Sequence, residues 1–129
     1  MLVWLGRFVA FGLGILAGTL LLALVDSVRA EDGFSTWYGP GFDGQTTASG
    51  EIFRQDDPTT AASTSYPLGT RLHVSTRGGD RAIDVRVTDT GLFTRPHLLD
   101  LSKAGFAELA DPDAGVVDVR VEVIGDAND

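Results

Sequence analysis

Alternation with a period of two residues runs through the second half of the chain. Ile83, Val85 and Val87 alternate with Asp84, Arg86 and Thr88, which predicts a strand over Ala82–Thr88 with one buried face. Val117, Val119, Val121 and Val123 alternate with Asp118, Arg120 and Glu122, which predicts a last strand over Val117–Ile124. Leu72 and Val74 place another strand over Arg71–Thr76, and Gly78-Gly79-Asp80 is the hairpin turn that leads to the next. Phe34 to Tyr38 has strand composition and stops at Gly39-Pro40-Gly41, after a polar lead-in at Glu31 to Gly33. Residues 39–50 read as a Gly-rich loop, Glu51-Ile52-Phe53 as a short apolar contact, and Thr59 to Ser65 as small and strand-tolerant. Residues 90–97 form a loop. Leu98 to Ser102 leads into a helix over about 103–110, which Asp100 or Ser102 can cap and which Ala110-Asp111-Pro112 ends. Residues 126–129 read as a frayed tail. Six or so short strands, one short helix and Gly-rich connections fit a small closed β-barrel.

The N-terminal pattern is different. Arg7 is the only charge before an uncharged run from Phe8 to Val25, and Val28 and Ala30 stand where a signal peptidase reads its site. Residues 1–30 are therefore expected to be a signal peptide, or a membrane anchor through residues 8–25. Residues 31–129 are expected to be one exported domain in the periplasm or cell envelope. The chain has no cysteine, which removes disulfides, thiolate metal sites and a lipid-modified Cys. It also favours a bacterial envelope over a eukaryotic secreted setting. Residues 31–129 hold 17 Asp/Glu against 8 Lys/Arg, a net of −9, which argues against nucleic acid and anionic lipid as partners. The two histidines and scattered carboxylates lack ligand spacing, so neither metal nor cofactor is expected, and a monomer is.

Asp89 breaks the pattern. Continued alternation puts it on the same side as Val85 and Val87, where desolvation would raise its pKa and suit it to general-acid work. The competing reading is a structural Asp that accepts N–H groups of the Thr90-Gly91 turn. Asp100 lies eleven residues on, across a loop that can return to the same rim, and is otherwise a helix cap. Glu51 follows Ser49-Gly50 in the long loop. Trp37 and Tyr38 are adjacent on one strand and so point to opposite faces, one of which could stack a sugar ring. His97 sits in the loop before Asp100, on the opposite parity from it. His73 alternates outward and reads as a surface residue.

The segments "STWYGPGFDGQTTASGEIF", "TTAASTSYPLGTRLHV", "VRVTDTGLF", "LLDLS" and "VDVRVEVI" resemble the rare lipoprotein A family, the septal-ring lytic transglycosylase type, from about Ser35 to Ile124. The resemblance implies a six-stranded double-psi β-barrel, mainly β, related to barwin and expansin domains. It also implies lytic cleavage of peptidoglycan glycan strands that lack stem peptides. It puts the family's catalytic carboxylates on Asp89, Glu51 and Asp100, with Asp89 as the proton donor. Substrate contacts fall on Trp37, Tyr38 and the position of Ser63, with His97 as a further candidate. The family's Thr-Ala-Ala-His reads Thr60-Ala61-Ala62-Ser63 here, and its Asp-Arg-Gly-Pro reads Asp89-Thr90-Gly91-Leu92. These departures bear on cleavage more than on glycan binding. The alternative is a non-catalytic, expansin-like glycan-binding or wall-loosening module.

Overall fold

The computed structural model describes residues 30–127. The expected export segment within residues 1–30 and the last two residues of the expected tail lie outside the described residues, apart from Ala30 itself. Six strands form a closed barrel: β1 (Ala30–Trp37), β2 (Thr60–Ala62), β3 (Arg71–Thr76), β4 (Ala82–Asp89), β5 (His97–Leu101) and β6 (Val117–Gly125). Their order around the barrel is β1-β5-β2-β4-β3-β6. Two pairings are parallel, β1 with β5 and β2 with β4. The pairs β2–β5, β3–β4 and β3–β6 are antiparallel. One helix, α1 (Lys103–Leu109), packs on this frame, and it is a double-psi β-barrel with one helix.

The alternating segments behave as their patterns predict. Val85, Val87, Val119 and Val121 join Leu72, Val74, Leu99, Leu101 and Phe106 in the core, while Asp84, Asp118, Arg120 and Glu122 face solvent. The β3–β4 turn is tied by Thr76, whose hydroxyl donates to Asp80 at 2.7 Å and whose carbonyl accepts from Gly79 N at 2.8 Å. Ser102 caps α1, its Oγ accepting from Gly105 N at 3.0 Å. Asp100 is therefore not the cap.

Three boundaries differ from the sequence reading. Residues 31–33 belong to β1 and are not a lead-in. Residues 97–101 are a strand and not the approach to a helix, because Leu98, Leu99 and Leu101 all enter the core. Gly33 lets β1 and β5 approach: a Cβ there would meet the Pro96 carbonyl at 2.3 Å. The third difference lies at the end of β4. Val87 is the register partner of Ala61, but Asp89, not Thr88, is the partner of Ala62. The extra residue, Thr88, is a β-bulge and is itself buried. Asp89 thereby leaves the core face that simple alternation gave it and joins the face of Ala62.

Candidate functional site

That outer face carries a second apolar cluster. Tyr38, Phe53 and Ala62 are buried together there, and Phe93 packs against them. Ala62 has small bulk and sits on the central strand β2, so the two flanking strands present their side chains above it. Its register partner on β4 is Asp89 and on β5 is Asp100. The two aspartates thus stand two strand spacings apart, about 9.6 Å between Cα atoms. Both belong to the face that Tyr38 covers.

The two carboxyls are held differently. Asp89 accepts three hydrogen bonds: Tyr38 OH to Oδ2 at 3.2 Å, Ala48 N to Oδ1 at 3.0 Å and Thr90 N to Oδ1 at 2.9 Å. Asp100 accepts one, from Thr36 Oγ1 to its Oδ1 at 3.2 Å, and among the described residues its Oδ2 has no hydrogen-bond partner. Burial pushes the Asp100 carboxyl up to about 6, the Thr36 bond opposes this, and the charge of Asp89 adds to it. Tyr38 lies near both: burial pushes its hydroxyl far up, and the charges of Asp89 and Asp100 push it further.

The Gly-rich segment 39–58 folds over this face. Tyr38 stacks on Phe53 at 4.3 Å between ring centroids and meets Phe42 edge-on at 5.7 Å. Gly44 N and Phe53 N bond across the loop, and Gly50 takes a left-handed φ of 91° to close the turn over residues 47–51. Ser49 N then donates to Thr88 O at 3.0 Å, next to the Ala48–Asp89 bond. The β4 bulge is therefore the anchor point of the loop.

The other sequence candidates are dispersed around this centre. Glu51 is exposed at the loop turn, where its carboxylate pairs with Arg86 and accepts from Ser49 Oγ at 3.3 Å. Trp37 points away from Tyr38. Its Nε1 donates to Pro112 O at 2.8 Å, Lys103 Nζ lies 5.6 Å from its ring centroid, and the ring packs on the main core. Trp37 is thus part of the packing beneath α1 and does not line the two-aspartate face. Ser63 is 1% exposed and donates to Leu98 O at 2.8 Å, so it offers no free side chain to a ligand. His97 lies closer than its parity suggested. Phe34 pairs with His97 and Ser35 with Leu99, so a second bulge at Leu98 brings His97 round to the side of Asp100. Its Nε2 is 2.8 Å from Thr36 Oγ1, the same hydroxyl that donates to Asp100. Among the described residues, no three His, Cys, Asp or Glu side chains group as a metal site requires.

Sequence reasoning did not single out Thr36, Phe53 or Phe93. Thr36 had one available signal: it lies two residues before Tyr38 and so shares a strand face with it, and its register partner on the neighbouring strand β5 is Asp100. Nothing in the local pattern marks Phe53 or Phe93 as partners of Tyr38.

Comparison with known proteins agrees with this architecture. Residues 30–121 match the family described as lytic transglycolase. An endolytic peptidoglycan transglycosylase RlpA from Campylobacter jejuni is 40% identical over 94 residues, 73% of this chain and 34% of that protein. A probable endolytic peptidoglycan transglycosylase RlpA from Synechocystis is 36% identical over 96 residues, 74% of this chain and 30% of that protein. The chain thus spans about a third of the length of these relatives. Among solved structures, a Streptomyces papain inhibitor superposes with a TM-score of 0.61 at 26% identity, covering 75% of this chain and 96% of that one. An expansin from Clavibacter michiganensis superposes with a TM-score of 0.58 at 25% identity, covering 75% of this chain and 51% of that one. With a family match over most of the described residues and relatives at this identity, the chain belongs to the double-psi β-barrel lytic transglycolase family.

Proposed function

We propose that residues 31–129 form a lytic transglycosylase domain that cuts peptidoglycan glycan strands and leaves 1,6-anhydro-N-acetylmuramic acid ends. The observation that carries this reading is the unequal pair on one face: Asp89 is held by three donors, while Asp100 is pushed up to about 6 and, among the described residues, keeps one oxygen unpartnered. Two carboxyls held this unequally on one face suit divided acid and charge-stabilising roles. The names of the relatives support the substrate class.

The geometry favours an exchange of the two roles that the family resemblance suggested. Asp100 gives its proton to the glycosidic oxygen as the bond from that oxygen to C1 of N-acetylmuramic acid breaks. The Asp89 carboxylate, held by its three donors, stabilises the positive charge that develops on the sugar ring. The 6-hydroxyl of the same sugar then bonds to C1, and its proton returns to the Asp100 carboxylate. The acid is regenerated and no water enters, so one acid–base carboxyl suffices, unlike the paired groups of hydrolases. Tyr38, Phe53 and Phe93 give the face an apolar floor, and Glu51 borders it from the loop. The reaction requires export, which the expected signal or anchor in residues 1–30 would supply, and it places the domain in the envelope. Peptide-stripped glycan strands should be solubilised by the protein and left intact by Asp100→Asn. Equal solubilisation by both would remove Asp100 from the mechanism.

A further inference from the structure

His97 forms part of a directed hydrogen-bond chain that ends on Asp100. Its Nε2 lies 3.1 Å from Leu99 O and 2.8 Å from Thr36 Oγ1. A carbonyl oxygen only accepts, so Nε2 carries the hydrogen and shares it between these two oxygens. The Thr36 hydroxyl then spends its own hydrogen on Asp100 Oδ1. The chain runs in one direction, from the imidazole through the hydroxyl to the carboxyl. Oδ1 is its terminal acceptor, so the acidic hydrogen of Asp100 belongs on Oδ2, the oxygen that has no partner among the described residues.

The ring is fixed by packing. Phe34 stacks on it at 4.8 Å with an interplanar angle of 14°, and Phe93 tilts against it at 4.5 Å between centroids. Its location depends on the Leu98 bulge, without which residues 97 and 100 would face opposite sides of β5. The bulged carbonyl is in turn held by Ser63 Oγ at 2.8 Å, and Ser63 Oγ accepts from Ser65 N at 3.1 Å. The serine at the position where the resembled family has a histidine thus secures the bulge that delivers a histidine from another strand.

We propose that His97, acting through Thr36, is a positioning residue for Asp100 that assigns the transferable proton to Oδ2. The proposal rests on the reading of Asp100 as the acid. The titratable groups that face Asp100 are Asp89 from β4, Tyr38 from the end of β1 and His97 itself.

The test uses three variants. His97→Phe keeps an aromatic ring in contact with Phe34 and Phe93 but has no Nε2–H. Thr36→Val keeps the shape of the relay and removes the hydroxyl, and Thr36→Ser restores it. With stripped glycan strands, kcat should fall about tenfold in His97→Phe and Thr36→Val, the scale of one hydrogen bond to a charged group. KM should hold, and Thr36→Ser should recover most of the rate. The alkaline limb of the Thr36→Val profile should move to higher pH, because the lost bond favoured the carboxylate. Two readouts need no turnover. Nitrogen NMR of the wild-type protein should show His97 with its hydrogen on Nε2, and the Asp100 carboxyl titration should move up in Thr36→Val. An Nδ1–H tautomer, or an unmoved titration with wild-type kcat, overturns the proposal. A wild-type protein that cuts no glycan defeats the functional reading alone, and the NMR results still decide the relay.

Discussion

Asp89 and Asp100 share one register partner, Ala62, from opposite sides. Three adjacent strands with a small residue in the middle leave two carboxyls facing each other over a low floor. The arrangement explains why the domain would tolerate an energetically poor group at position 100. Burial and the neighbouring negative charge both oppose ionisation of Asp100.

A pH dependence follows from that opposition. The acid must be protonated to act, and its carboxyl is pushed up to about 6 from 3.8. Cleavage should be sustained below pH ~6 and should fall tenfold per pH unit above it, provided Asp100 is the only group titrating on that limb. A rate profile on stripped glycan strands checks this. A flat alkaline limb through pH 6–8 would exclude Asp100 as the acid.

Stability carries the same signature with its own sign. Between pH 3.8 and about 6 the folded protein keeps the Asp100 proton that the unfolded chain has lost. The unfolded state then binds fewer protons, so stability falls as pH rises through this window. Asp100→Asn removes the cost while leaving an oxygen to accept from Thr36. It should stabilise the fold by about 2 kcal/mol at pH 8, a value reduced from the full shift for solvent screening, and by little at pH 3. Urea unfolding at the two pH values measures the difference. An inactive but more stable variant marks a residue kept for chemistry.

Tyr38→Phe should have the opposite profile. The change removes the donor to Asp89 Oδ2 and leaves the ring buried on Phe53. Loss of one hydrogen bond to a charged group costs about 1.5–3 kcal/mol, and the floor of the face stays filled. Thermal unfolding should show the loss, with kcat lowered and binding of glycan retained.

Ser63→His separates two histories of the site. Ser63 is 1% exposed, and its hydroxyl holds the Leu98 carbonyl. An imidazole there overfills the space and releases the bulge, at a cost of about 2 kcal/mol or more. Activity should not rise, because His97 would lose its place beside Thr36. A variant that folds well and gains cleavage would show instead that the site lacks a histidine and that His97 does not supply one.

Much of the barrel was legible in the chain. β3, β4 and β6 each bury one face only, so their aliphatic residues recur every second position and the pattern survives. β5 was hidden because Leu98, Leu99 and Leu101 are all buried, which erases the alternation. The candidate carboxylates were visible as residues, but the faces they occupy were not. Asp89 follows a bulge at Thr88 and His97 precedes one at Leu98, and a bulge reverses parity through pairing with a distant strand, information that no local pattern contains. The exchange of roles proposed for Asp89 and Asp100 has the same origin. Ala48 N reaches Asp89 from a loop forty-one residues earlier in the chain, and only the folded loop reveals that Asp89 is the filled acceptor.

The most direct test of the central claim is the mass of the fragments released from peptide-stripped glycan strands. Lytic transfer through the 6-hydroxyl leaves each new muramic end lighter by one water than a hydrolytic cut would. Anhydro-muramic ends from the wild-type protein, absent with Asp100→Asn, are the expected result. Reducing muramic ends would contradict the intramolecular step, and strands that bind but stay whole would make the domain a glycan-binding module instead.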